Sequence, residues 1–258
     1  MNSNSFQINK KISLIIPFYN EEKELKKIFK DILKFEKSNK LINEYIFIDD
    51  CSSDSSNLIC KNFIKSTKFN LRKKIFLHKN KKNFGWAKTL KKGYDLSRSD
   101  YCLYIPGDGE AKICQFFKKK IIKKINFNND LIIFQREKMS SRPFLRIIIS
   151  KIYKFLLYFA FPIKIIDLNG LLMIKKKKIK VLDLFSNSFF ISAEIIIKSF
   201  LLDFKIDSNQ SFFLMKKKEY KSTSLNIKQC KLVLKDFLKL INYSMNFRFE
   251  KFKKNINN

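Results

Sequence analysis

Within the first 125 residues, short apolar runs and segments of helical period alternate four times, and no other feature of the chain narrows its fold as much. Ile12 to Phe18 is rich in Ile and stops at Pro17-Phe18-Tyr19-Asn20, the pattern of a fully buried strand. Leu25, Ile28, Phe29, Ile32 and Leu33 then follow the i, i+3, i+4 spacing of one helical face, with Asn20 as expected N-cap and Glu21 and Glu22 in the first turn. Tyr45 to Ile48 is a second strand. It runs into Asp49-Asp50-Cys51-Ser52-Ser53-Asp54-Ser55-Ser56, whose serines and Asp54 offer the cap of a helix burying Leu58, Ile59, Phe63 and Ile64. Ile75 to His78 is a third strand, Gly85 to Leu96 a helix, and Tyr101 to Ile105 a fourth strand. Such alternation predicts an α/β domain with a Rossmann-like, mostly parallel sheet flanked by helices.

Three polar clusters, Pro17 to Glu22, Asp49 to Asp54 and Pro106 to Glu110, each begin where an expected strand ends. In a parallel sheet they meet on one rim, at the carboxyl edge where open α/β sheets hold ligands. The sharpest break is Tyr104-Ile105-Pro106-Gly107-Asp108-Gly109-Glu110. By residue preference alone it is a turn, but its convergence with the other two clusters favours a binding site. A carboxylate on a glycine loop, Asp108, can approach a divalent cation without crowding, and Mg²⁺ or Mn²⁺ takes one or two carboxylates together with substrate phosphates. No Gly-x-Gly-x-x-Gly follows the first strand and no Gly-Lys-Ser/Thr loop occurs, so a bound diphosphate would be met by metal and basic side chains.

At 258 residues, 45% of them hydrophobic, the chain can bury one substantial core with a C-terminal extension. Lys and Arg number 54 against 23 Asp and Glu, a formal charge of +31, which raises nucleic acid and anionic membrane as partners. The lysines are spread along the chain, however, and Lys, Ile, Asn and Phe are enriched together while Gly is 5 and Pro 4, the mark of biased nucleotide composition. No nucleic acid is therefore expected, and an anionic surface or substrate remains. Five cysteines without a Cys-x-x-Cys spacing suggest neither a disulfide framework nor a zinc site, and the polar start from Met1 to Lys11 has no apolar core of a secretory signal, so a cytoplasmic protein is expected. The most apolar stretch, Ile147 to Ile166, is interrupted by Ser150, Lys151, Lys154, Pro162 and Lys164. It is too broken to span a bilayer, and is either an interfacial helix at an anionic membrane face or core beneath the sheet. Between Lys228 and Phe249, Leu232, Val233, Phe237, Leu238, Ile241 and Met245 form a helical stripe expected to pack on the domain.

The strings SLIIPFYNEE at 13–22, FIDDCSSDSS at 47–56, NFGWAKTLKKGYDLSRSDYCLYIPGDGE at 83–110 and FISAEIIIKS at 190–199 together resemble family 2 glycosyltransferases of GT-A fold, in the branch related to dolichol-phosphate mannosyltransferase and bacterial polyprenyl-phosphate glycosyltransferases. The resemblance implies a GT-A domain over 1–225, with a nucleotide-sugar half at 12–110 and an acceptor half at 111–225, and a helix and tail at 226–258. It further implies inverting, metal-assisted transfer of a hexose from a UDP- or GDP-sugar to polyprenyl phosphate or to a lipid-linked or surface glycan, at the inner face of the membrane. Pro17, Tyr19 and Glu21 are then expected to line the nucleoside pocket, Asp50 to bond the base and Asp49 to support that loop. Lys88 is expected near the phosphates. Gly107 and Asp108 belong to the donor site, and Asp108 matches the last carboxylate of the Asp-x-Asp metal motif, whose first position is Pro106 here. Glu110 would add a second carboxylate through water. Arg136 and Arg146 match arginines near the diphosphate and the acceptor phosphate, and their planar forks suit phosphate oxygens, unless they are ordinary surface residues. Asp167, in IIDLNGLLMIKK, falls on the acceptor side, and Lys221, in KKKEYKSTSL, falls in a basic loop near the donor phosphates.

The acceptor decides whether a base is needed. A sugar hydroxyl wants one, whereas a lipid phosphate is already anionic. His78, the only histidine, sits on an apolar strand and is expected to be structural. A base would come from Asp167, Asp183 or Glu194, and Glu194, on an apolar helix, is either that base or a structural hydrogen-bond acceptor. Pro106 also raises the alternative of a nucleotide-binding relative without catalysis.

Overall fold

The computed structural model describes residues 10–38, 41–117, 125–136, 144–161, 167, 168, 170–212 and 227–256, with 38, 144–150, 227 and 250–256 described by backbone alone. Its strands are β1 (Ile12–Phe18), β2 (Ile42–Asp49), β3 (Ile75–Lys79), β4 (Tyr101–Tyr104), β5 (Leu131–Arg136), β6 (Leu171–Lys175) and β7 (Ile206–Phe212). The helices are α1 (Glu22–Ser38), α2 (Ser56–Ser66), α3 (Phe69–Arg72), α4 (Trp86–Leu96), α5 (Ile113–Phe116), α6 (Phe144–Ala160), α7 (Lys176–Val181), α8 (Ile191–Leu201) and α9 (Ile227–Ile256). The seven strands make one sheet in the order β3-β2-β1-β4-β6-β5-β7. β1 to β4 pair in parallel, β6 runs antiparallel to both β4 and β5, and β7 lies parallel to β5. The expected mostly parallel α/β sheet with a C-terminal helix is thus the observed one. Its order reverses between β1 and β4, which places a topological switch point directly under the Tyr19 and Asp108 loops.

All seven residues of β1 are buried, as a strand covered on both faces requires. On one face α4 comes so close that a Cβ built on Gly93 would lie 2.3 Å from Ile15 Cγ2 and 3.0 Å from Ile48 Cδ1. Gly93→Ala sets two effects against each other: a helix-propensity gain of up to about 1 kcal/mol and an overpacking loss of about 1–3 kcal/mol. A branched methyl on the central strand has little room to move, so a net loss of about 1–2 kcal/mol is expected, read as a lowered urea midpoint at unchanged slope.

Two buried faces drawn from sequence periodicity need correction. Leu25, Ile28, Phe29 and Ile32 are buried on α1, but Leu33 is exposed, and on α2 Leu58 is exposed while Cys60 is fully buried. A single helix presents a limited arc to the sheet, and the end residue of each i, i+3, i+4 series falls outside it. Of the two expected caps, Asp54 Oδ1 does accept the Ser56 N–H that opens α2, whereas Asn20 does not cap α1. Asn20, at φ 54, precedes the helix by two residues and accepts the N–H groups of Ser53 and Asp54 instead of capping α1. Ser52 Oγ, Ser56 Oγ and Asp54 Oδ2 in turn accept the N–H groups of Asn20, Glu21 and Glu22, so the serine-rich loop after β2 caps the start of α1. The two loops are stitched together across the gap between β1 and β2, and the first N–H of α1, that of Glu22, is satisfied from the neighbouring loop.

α8 is buried from Ile191 to Ser199, including two charged residues. Glu194 Oε1 lies 3.0 Å from Lys198 Nζ, and the Lys198 ammonium sits 4.2 Å above the Phe185 ring and 4.4 Å above Tyr243. Glu194 accepts the N–H groups of Phe185 and Ser186, while Asp236 on α9 accepts those of Asn187 and Ser188 and the Ser188 hydroxyl. Two carboxylates from two helices thereby satisfy four consecutive N–H groups, which ties α9 to the domain.

Candidate active site

The ladder between β1 and β4 continues past the end of β4, with Ile105 N–H donating to Ile15 O and Gly107 N–H to Pro17 O, both at 2.9 Å. Pro106 lies between the two donors, with its nitrogen turned from β1 and beyond the Tyr101–Leu103 stretch that pairs with β6, so a missing N–H is tolerated there. Gly107 is held against the β1 end: an added Cβ would stand 2.5 Å from Phe18 Cβ and 3.0 Å from Pro17 O. Gly109, at φ 71, would bring a Cβ to 2.6 Å from Glu24 Oε2 in the first turn of α1. Between these glycines Asp108 Oδ1 accepts the N–H of Glu110 at 3.0 Å, a tight turn that presents both carboxylates on one loop.

On the other side of β1, Asp49 is fully buried and spends Oδ1 on Ser52 N–H and Oδ2 on Asn57 Nδ2, so it holds the loop that follows it. Asp50 is 5% exposed and accepts three bonds, from Asn80 Nδ2 at 2.7 Å, Phe84 N–H at 2.9 Å and Gly85 N–H at 2.8 Å. Its charge therefore caps the loop entering α4, a favourable place for an anion. Asn80, buried one residue past β3, is the hub that sequence reasoning missed. It also donates to Thr89 Oγ1 and accepts Lys92 Nζ, joining β2, β3 and α4. Its signal was its place at the carboxyl end of a third strand, the rule that had picked out the other clusters. Cys51 at φ 66 adds local strain next to Asp50, of a kind that gathers at functional sites. Pro17 is buried within β1, Glu21 is half-buried, and Tyr19 and Lys88 are exposed on this rim.

The acceptor-side candidates fall into two groups. Arg136 ends β5 and grips Asp167 with Nε at 2.8 Å and Nη2 at 2.7 Å, while its N–H donates to the same carboxylate. Burial works against the Arg136 charge, but the bonds and charge of Asp167, with the more distant Tyr104 and Glu110, raise its pKa above the ordinary value. The influence of Glu110 joins this pair to the Asp108 loop. Tyr104, at the end of β4, donates to Gly170 O and shares a 2.8 Å bond with Ser192 Oγ. Burial pushes its hydroxyl up to about 12, with Ser192 and Arg136 pulling the other way, so it stays protonated at neutral pH. Tyr153 on α6 is half-buried and meets Phe190 edge-on, its hydroxyl pKa raised by burial against the opposing Arg136 charge. Trp86 packs edge-on to Tyr104 and stacks with Phe189, closing an aromatic wall over the switch point.

Glu194 does not join this group, because it is spent on the buried network with Lys198. Asp183 is exposed at φ 44, and its carbonyl accepts Lys198 Nζ. Arg146 lies in the first turn of α6, where backbone alone is described, and Lys221 lies outside the described residues. His78, on β3, has its pKa lowered by burial and by the positive charges of Lys92 and Arg98, so it remains neutral and takes no part in the rim.

Among the described residues no three His, Cys, Asp or Glu side chains stand together as a ready-made metal cage. Asp108 and Glu110, two hard oxygen donors on one loop, fit a divalent cation that draws its remaining ligands from diphosphate and water, and do not fit one enclosed by protein.

A nucleotide-sized ligand laid across this switch point would meet aromatic and carboxylate groups from β1 and β2, two carboxylates after β4 and a guanidinium after β5. Proteins of known structure share this architecture. The chain superposes on mannosyltransferase PcManGT from Pyrobaculum calidifontis, in complex with GDP-Man and Mn²⁺, with a TM-score of 0.64 at 12% identity, over 90% of this chain and 64% of that one. Glucosyl-3-phosphoglycerate synthase from Mycobacterium tuberculosis, in complex with uridine diphosphate, gives 0.65 at 13% identity over 91% and 81%. In sequence, the chain is 36% identical over 125 residues to dolichyl-phosphate beta-glucosyltransferase of Dictyostelium discoideum, covering 46% of this chain and 37% of that protein. It spans about half or less of the length of the curated relatives it matches, 53% and 37% for two of them. The profile of glycosyl transferase family 2 matches residues 13–240, from the first strand into α9. With that match running through every loop of the rim, the chain belongs to glycosyl transferase family 2.

Proposed function

We propose that the chain transfers a hexose, with inversion, from a UDP- or GDP-sugar to a polyprenyl phosphate, assisted by Mg²⁺ or Mn²⁺ at Asp108 and Glu110. Tyr19, Glu21 and Asp50 would bound the nucleoside pocket, with Asp50 acting chiefly by fixing the loop into α4, and Lys88 would face the phosphates from outside. A bound cation would supply charge neutralisation of the leaving diphosphate. Arg136, oriented by Asp167, would share that task from the opposite side, where a guanidinium aimed at developing charge contributes most.

The observation that favours a lipid phosphate over a sugar hydroxyl is the state of the acceptor-side carboxylates. Two of the three candidate bases are committed, Asp167 to Arg136 and Glu194 to two N–H groups and Lys198, and the third, Asp183, is exposed on the turn before α8. An acceptor that is already anionic requires none. The relative from Dictyostelium, a dolichyl-phosphate beta-glucosyltransferase by name, supports the same acceptor class. The outward face of α6 supports it as well: Ile152, Phe155, Leu156, Tyr158 and Phe159 are exposed beside Lys151 and Lys154, while Tyr153 and Leu157 face the domain. Among the described residues no helix is long and apolar enough to cross a membrane, and α6 would instead lie in the interface, its aromatic side chains among the lipids.

Calorimetric titration with UDP and with GDP, each with and without Mn²⁺, followed by transfer from the matching sugar nucleotide to a short polyprenyl phosphate, tests the proposal. Binding of one nucleotide, tightened by the metal, is expected. No binding of either nucleotide to the folded chain would refute it. Pro106, at the first position of the metal motif, favours a second reading, a nucleotide-binding relative without catalysis. Tight nucleotide binding without transfer from any donor would support that one.

A further inference from the structure

α9 is 30 residues long, and among its described side chains, 228–249, the fully buried ones lie on one side. Asp236, Leu240 and Ser244 are buried, and Phe237 meets Phe161 and Phe190 edge-on. The expected packing stripe is therefore split: Val233, Phe237 and Ile241 pack on the core, whereas Leu238 and Met245 do not. Leu234, Leu238 and Met245 are 56%, 57% and 65% exposed, and Phe249 continues the row at 58%. On a helical projection these four positions fall within about 60° of one another, opposite the buried Asp236 and Leu240, with the half-buried Ile241 at the edge of the row. Lys231, Lys235 and Lys239 run beside the row at about 60–140°. Asp236 is the only acidic residue from 227 to 249, and it is turned inward.

We propose that this outer face of α9 is a second contact with an anionic lipid bilayer, separate from the one given to α6. An apolar row bordered by lysines on a helix already anchored to a domain matches an interfacial helix, whose apolar side chains enter the acyl boundary while ammonium groups reach back to the headgroups. Charge selects among possible occupants. A second copy of this chain would bring lysines against lysines in a protein of formal charge +31, whereas each lysine near an anionic surface adds attraction. Continuity points the same way, because Phe161, just past α6, touches Phe237 of α9 at 6.4 Å between ring centroids, so the two helices with exposed apolar faces are neighbours. The inference rests on the membrane-side reading of α6 only for that shared surface, and not on the transfer chemistry.

The test uses the full chain with sedimented vesicles of phosphatidylcholine alone and of phosphatidylcholine with phosphatidylglycerol at roughly 3:1. Wild type is compared with Leu238→Glu/Met245→Glu, Lys231→Gln/Lys235→Gln and, on α6, Phe155→Glu/Phe159→Glu. All these side chains are exposed, and circular dichroism with nucleotide titration reports whether each variant keeps its fold and donor site. The expected result is binding to the anionic vesicles that each α9 double variant weakens on the order of tenfold, with nucleotide affinity unchanged. Vesicle binding that only the α6 variant weakens would overturn the proposal. So would light scattering that shows, without lipid, a wild-type dimer made monomeric by Leu238→Glu/Met245→Glu, since a second copy would then be the occupant. Loss of nucleotide binding in wild type bears on the transferase reading alone.

Discussion

Asp167→Ala is expected to lower the unfolding free energy by about 3–5 kcal/mol, read as a large fall in the urea midpoint, and to abolish sugar transfer with it. The carboxylate is 7% exposed and receives three bonds from one residue, the Arg136 Nε, Nη2 and backbone N–H. Removing it leaves a guanidinium, itself only 23% exposed, facing the Tyr104 end of β4 with only the more distant Glu110 as counter-charge. The penalty is that of an uncompensated buried charge, which exceeds the net contribution of the intact pair. A double variant, Arg136→Leu/Asp167→Leu, separates the two roles. Stability is expected to return to within about 1–2 kcal/mol of wild type, because replacing both partners removes the desolvation penalty as well as the attraction. If Arg136 faces the leaving diphosphate as proposed, transfer is expected to stay lost, because no guanidinium remains there. An Asp167→Ala midpoint close to wild type would mean that the pair is solvated and that Arg136 is positioned by something else.

The second large effect is on chemistry with almost none on the fold. Asp108→Asn keeps an oxygen that can accept the Glu110 N–H, so the turn between Gly107 and Gly109 is retained and stability is expected to change by less than about 0.5 kcal/mol. Only the negative charge is removed. If Asp108 holds the divalent cation, nucleotide binding loses its dependence on Mn²⁺ and transfer falls by about 10²–10³-fold, the scale of removing one preorganised electrostatic group. Pro106 raises the stakes for Asp108, since the neighbouring motif position offers no carboxylate to take its place. Unchanged Mn²⁺ dependence in Asp108→Asn would move the metal, or remove it from the reaction.

How much of this was legible in the chain follows from what is local and what is not. Strand and helix identity in the first half came from hydrophobic period and from breaks at Pro, Gly and Asp, which are properties of neighbouring residues. β1 runs from Ile12 to Phe18 as expected, and the carboxyl-edge rule put the Asp49, Asp50 and Asp108 loops on one rim because every parallel strand in such a sheet points the same way. Leu33 and Leu58 fell outside the buried arcs because period alone does not say how wide a face the sheet will cover. The reciprocal stitching of Asn20 to Ser53 and Asp54 was hidden by a separation of more than thirty residues, so each loop looked like the cap of its own helix.

Charge pairing was the least legible property. Arg136 and Asp167 each stood in the sequence as a candidate with its own separate role, and only the pairing of β5 with β6 carries them into contact, after which the carboxylate acts through the arginine. Glu194 met Lys198 one helical turn away, yet what commits it is the 185–188 loop folded over the start of α8 and sealed by Asp236 from α9. The sequence by itself determined the parallel half of the sheet and the strand ends that carry Asp49, Asp50 and Asp108, because short-range pattern and strand polarity suffice for those. Tertiary structure alone decided which acceptor-side charges are spent and which faces of α6 and α9 stay bare, because a side chain's partners and exposure depend on what the rest of the chain brings against it.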